Sequence, residues 1–196
     1  YLKHTITYGA TPATNKANLH LWVGKVREIV KESRSDRGTW HADTLNEQFL
    51  SYVARLSWAA NGPRLAKEFL SEKGIAFVVL PALPRTRLDG AAMLGEDGAP
   101  IIGMTIRRDR LDNFWFTLLH ELAHAWKHLF NRDIAITDED VQDEHNDDPK
   151  EAEANQIAKD AFIPRSTWKR SDAFLRPSAE TVYALANKLN ISPAVI

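Results

Sequence analysis

The run from Leu111 to Phe130 contains no glycine or proline, and His120-Glu121-Leu122-Ala123-His124 stands inside it. Apolar residues recur at Leu111, Trp115, Leu118, Leu122, Ala125 and Leu129, in steps of four and three, so one stripe of a long helix faces a core. Asp109 is the expected N-cap, and Asp112 puts negative charge near the positive end of the helix. Residues four apart lie about 40° apart around a helix and one turn along it. Two imidazoles so placed can close on one metal ion, and Glu121 can reach a water activated by it. The histidine edge, Thr117, His120, Glu121 and His124, runs beside the apolar stripe rather than down its centre. Two helix histidines can also be satisfied by hydrogen bonds near a core. The uninterrupted helix favours the metal.

A catalytic zinc takes three protein ligands and keeps one position open. His128 continues the four-residue ladder, but a further turn carries it round the helix and nothing breaks the helix to bring it back. It reads as a surface or supporting residue. A better source is Glu151-Ala152-Glu153-Ala154-Asn155, which opens a second amphipathic helix after Pro149. Glu151 is the leading third ligand and Glu153 the alternative. Asn155, one turn after Glu151, suits a polar partner that steadies a histidine from behind. Either acid could instead serve only the dipole of the helix's first turn.

The whole sequence of 196 residues is long enough for one domain with a sound core. A net charge of -1 leaves no global electrostatic footprint for nucleic acid, and direct nucleic-acid binding is not expected. There is no cysteine, which excludes disulfides and thiolate zinc sites and agrees with a reducing cytoplasm. No apolar run has membrane-spanning length, and the start lacks the pattern of a secretory signal. The chain begins with Tyr1 and stops at Ile196, and is expected to be a piece of a longer protein.

Residues 1–15 read as an arm or linker, 16–73 as a helical N-terminal region and 74–196 as the region carrying the histidine pair, the last two forming one compact unit. Lys16 to Ser33 is a helix with Leu19, Val23, Val26 and Val30 inward; a second helix spans about 44–60, Asn61-Gly62-Pro63 breaks the run, and a third helix follows to Glu72. Ile75 to Leu80 is a strand by its β-branched content. Two more strands, 90–94 and 100–106, flank Gly95-Glu96-Asp97-Gly98, a good hairpin turn. A small three-stranded antiparallel sheet is therefore expected beside the histidine helix, in a mostly helical α+β domain.

Three blocks in this order resemble the ImmA/IrrE family of zinc metallo-endopeptidases. They are Leu88-Asp-Gly-Ala-Ala-Met-Leu94, the stretch DRLDNFWFTLLHELAH from Asp109 to His124, and EAEANQIAKDAFIP from Glu151 to Pro164. The resemblance covers about residues 75–165 and implies a zincin-like, gluzincin-type fold for 74–196. It implies Zn2+ held by His120, His124 and Glu151, with Glu153 as the alternative within the motif, and Glu121 as general base. It further implies a cytoplasmic protease whose substrate is a repressor or other transcription regulator, in transcription regulation or a stress response. Some members carry an N-terminal helix-turn-helix domain of the Xre type, a module expected outside this sequence.

In zincins an edge strand beside the metal helix pairs with the peptide substrate, and either hairpin strand could present that edge here. Tyr183 and His145 are the candidates for oxyanion support. Arg107, Arg108 and Arg110 form a basic cluster, read as solvated. Asp143, Glu144, Asp147 and Asp148 lie in an acidic stretch without the spacing of a calcium loop. The competing function is a regulatory or antitoxin-like protein-binding domain in which zinc is structural and closed by a fourth ligand such as His128 or His145.

Overall fold

The computed structural model describes residues 2–3, 12–84, 86, 88–106, 109–130 and 149–196. A two-residue strand β1 (Leu2–Lys3) precedes helix α1 (Pro12–Glu32), α2 (Glu47–Arg55) and α3 (Gly62–Glu72). Strands β2 (Ala76–Val79), β3 (Gly90–Leu94) and β4 (Pro100–Met104) lead into α4 (Leu111–Lys127). The chain then runs through α5 (Pro149–Phe162), α6 (Arg165–Lys169), α7 (Asp172–Leu175) and α8 (Ala179–Leu189). The class is α+β, with the helix-across-sheet arrangement of a zincin.

The sheet order is β1-β3-β4-β2. β3 and β4 form the expected hairpin, Ala92 opposite Ile102, closed by Gly95 N–H donating to the Ala99 carbonyl at 2.9 Å. β2 runs parallel to β4, Phe77 beside Ile102. The sheet is thus mixed, correcting the antiparallel expectation. A tight turn fixes only the pair it joins, whereas β2 reaches the far side of β4 by a long crossover. β4 lies between β3 and β2 and cannot present an edge, while β1 pairs antiparallel with β3 at Ala91 and Gly90. Among the described residues, β3 keeps an open outer edge only beyond Ala91.

Side chains alternate across the sheet, as strand geometry requires. Ala76, Val78, Ala91, Met93 and Ile101 meet Leu19, Trp22, Val26 and Val30 of α1. Trp22 is buried in this layer while Val23 packs partly buried against it, and Gly103 makes the room for the indole: a Cβ there would lie 2.6 Å from it. Phe77, Ala92, Ile102 and Met104 join the larger core with Trp115, Leu118, Leu119 and Leu122 of α4. The segment before residue 74 therefore contributes to both cores. Arg110, not Asp109, is the N-cap of α4, and it spends its guanidinium on Asp112 at 2.6 Å instead of capping. No helix among the described residues is long and apolar enough to cross a membrane.

Candidate metal centre

α4 packs flat on β3 and β4, so the turn bearing His120, Glu121 and His124 is sealed from solvent, with exposures of 1, 0 and 0%. The Nε2 atoms of His120 and His124 face each other at 3.0 Å. The ring of Phe116, one turn earlier, lies 6.1 Å from that of His120.

The third side chain comes from the first turn of α5. Ala154 and Ala158, both fully buried, let α5 close on its neighbours, and Glu151 shares their face one turn before Ala154. Its carboxylate reaches His124 Nε2 at 3.1 Å through Oε1 and His120 Nε2 at 3.4 Å through Oε2. His120, His124 and Glu151 are the group of ligand-type side chains gathered tightly enough among the described residues to hold an ion. Donors about 2.0–2.1 Å from a tetrahedral zinc stand roughly 3.3 Å apart. The observed separations and the N,N,O donor set fit that ion.

Charge is arranged for the same end. Burial pushes the His124 imidazole down to about 4, against the pull of Glu151 and with help from the charge of His120. Burial by itself would raise the Glu151 carboxyl, but the hydrogen bonds and charges of the two histidines outweigh it and hold it well below the usual carboxylate range. At neutral pH His124 is neutral and Glu151 ionised, the states in which both bind metal.

Glu121 is folded against β3. A Cβ at Gly90 would come within 2.8 Å of the Glu121 Cγ and Oε1 and 2.9 Å of the Thr117 methyl. Only glycine admits the carboxylate there. Gly90 stands in one of the blocks carrying the family resemblance, but that role needs the sheet and helix to be seen together.

Glu153 does not join the cluster. Its Oε2 lies 3.1 Å from Nε2 of His128, whose Nδ1 is 2.9 Å from Nδ1 of His124. His128 is buried at 6% exposure, behind the histidine pair. Asn155 is half-buried on α5, with no hydrogen bond to a histidine among the described residues. Tyr183 is 58% exposed on α8. His145, Arg107, Arg108 and the acids Asp143, Glu144, Asp147 and Asp148 lie outside the described residues. A cavity of about 760 Å³ runs between α4 and α5 past Phe116, Lys159 and Trp168, but none of the four site residues lines it. The cluster that could hold an ion is at the histidines, not there.

A buried helix-borne histidine pair, its intervening glutamate and an acid from a second helix make a metallopeptidase-type centre. The chain belongs to the Peptidase M78 family, described as the IrrE N-terminal-like domain, whose model matches residues 90–196, more than half of its length. No curated relative and no solved structure matches it significantly. The match begins at β3, so both helices of the centre fall inside it and α1 to α3 fall outside.

Proposed function

We propose that this chain is a zinc-dependent intracellular endopeptidase that cleaves a regulatory protein such as a DNA-binding repressor. The observation that carries the reading is the convergence of His120, His124 and Glu151 next to a buried Glu121. The two Nε2 atoms and the Glu151 carboxylate hold the zinc, which supplies Lewis-acid activation of a water and of the scissile carbonyl. Glu121 takes the proton of the attacking water on its carboxylate and passes it to the departing amine. The missing Cβ of Gly90 leaves the room that this carboxylate occupies. The substrate main chain pairs with the outer edge of β3, the strand that contains Gly90, in place of the two residues of β1.

A structural zinc in a protein-binding module would call for a fourth protein ligand. Among the described residues the cluster has three, and His128 turns both ring nitrogens to other partners. The preference for a repressor follows from the family resemblance, and the lack of cysteine suits a reducing compartment.

The test uses the full chain with Glu121→Gln and His124→Ala, against repressors encoded near it. Glu121→Gln should keep its zinc and lose cleavage by roughly 10²–10⁴-fold, the usual share of a general base. His124→Ala should lose both. Cleavage by Glu121→Gln at the wild-type rate removes Glu121 from the proton transfer, and no cleavage of any repressor by zinc-loaded wild type overturns the substrate class.

A further inference from the structure

Behind the proposed zinc site the described residues form a second line of polar groups. It starts at Nδ1 of His124, the ring nitrogen turned away from Glu151, which lies 2.9 Å from Nδ1 of His128. It ends where Nε2 of His128 meets the Glu153 carboxylate at 3.1 Å. Two facing imidazole nitrogens form a hydrogen bond only if one carries the proton and the other a lone pair.

The proton positions can be assigned from either end. A ligand nitrogen must offer a lone pair, so a neutral His124 with Nε2 on the metal carries its proton on Nδ1 and donates to His128. An ionised carboxylate only accepts, so His128 carries its proton on Nε2 and presents a lone pair at Nδ1. The two derivations meet at the same contact and agree. His120 differs, for its Nδ1 is buried with no hydrogen-bond partner among the described residues.

Resting on the zinc-site reading above, we propose that His128 and Glu153 are positioning residues that lock His124 in the tautomer and ring orientation its Nε2 needs, and so set the affinity of the site for zinc. The arrangement is a histidine–carboxylate support lengthened by one imidazole. It also explains the histidine ladder. The third step carries His128 to the C-cap of α4, with φ -118° and ψ -27°, out of reach of the ion but against the back of the second ligand. Glu153, two residues after Glu151, closes the line from α5, so one helix turn supplies both a ligand and the end of the support.

The experiment titrates the metal-stripped full chain with Zn2+ against a chromophoric chelator, for wild type, His128→Leu, His128→Asn and Glu153→Ala. Outer partners of metal-bound histidines typically change affinity by about 10–100-fold. His128→Leu should fall in that range. His128→Asn, whose side-chain oxygen can accept from His124 Nδ1–H, should recover most of the loss. Glu153→Ala, at a half-exposed position, should lose less than His128→Leu and keeps the question open to test should His128→Leu not fold. Nitrogen–proton correlation spectra of the zinc-loaded wild type should show His128 protonated on Nε2 and bare at Nδ1. Wild-type affinity in both His128→Leu and Glu153→Ala, equal losses in His128→Leu and His128→Asn, or a His128 protonated on Nδ1 would overturn the support while leaving the zinc site standing. A wild type that takes up no zinc would overturn the site and the support together.

Discussion

The middle turn of α4 and the first turn of α5 supply the same centre by different means. On α4, His120 and His124 are 1 and 0% exposed, and their spacing is set by the pitch of one buried helix. On α5, the Glu151 side chain keeps 20% of its exposure, and it reaches the histidines only because two helices dock. One half is local and rigid, the other tertiary and adjustable. The centre is therefore closed on the α4 side and keeps its residual exposure at the α5 carboxylate.

The sharpest way to break this contrast is to remove one ligand from each half. His120→Ala should abolish zinc retention on dialysis and peptidase activity with it, because the remaining imidazole has no helical partner for the ion. Glu151→Gln keeps a carbonyl oxygen at the same reach and should bind zinc more weakly, yet measurably, with activity reduced in step. Metal analysis after dialysis decides it. Equal retention by the two variants would mean that the rigid half holds no privilege.

Acid should act on the rigid half first. In the metal-free protein His124 titrates at about 4 instead of its ordinary 6.5. Above pH 6.5 the ring is neutral in both folded and unfolded chains and contributes no slope. Between 6.5 and 4 only the unfolded chain takes the proton, so folding loses stability as pH falls, and below 4 the loss saturates. The full loss is about 3 kcal/mol at roughly 1.4 kcal/mol per pH unit. Glu151 contributes in the same sense but lower down: its depressed carboxyl gives stability that is present above about 4.5 and lost on further acidification. Urea unfolding of metal-stripped protein from pH 7.5 to 4.5 should show the slope, and His124→Phe should flatten it.

The same division explains what could be read in the chain beforehand. α4 announced itself through its apolar steps and the histidine pair, because helix periodicity is a local property. The hairpin of β3 and β4 was legible from the turn Gly95 to Gly98, where Gly98 takes φ +75°. The parallel direction of β2 was not, since nothing in a short apolar strand records which way its neighbour runs. Trp22 joins Val23 on the core side of α1 because a glycine 81 positions later, Gly103, opens space for an indole. Glu151 and Glu153 stayed open alternatives in sequence for a related reason. Two residues apart on a helix, they point to different sides, and only the docked face decides between them. That face did leave a trace in Ala154 and Ala158, a small-residue pair with Glu151 one turn before it.

Ala154→Leu is the mildest test, because it moves the adjustable half without touching a ligand. Ala154 is fully buried in the core shared with α4, and three added carbons there force α5 outward. Overpacking of this kind costs about 1–3 kcal/mol, which for a domain of this size lowers Tm by roughly 2–4 °C per kcal/mol. The displacement acts one turn from Glu151 and leaves the spacing of His120 and His124 to the pitch of α4. Zinc affinity should therefore fall only a few-fold, and the loss should vanish when Glu151 is already replaced by Gln, since the ligand being moved is then the one already weakened. A loss of affinity that adds in full to that of Glu151→Gln would mean that α5 shapes the histidine pair itself, and the centre would have no rigid half.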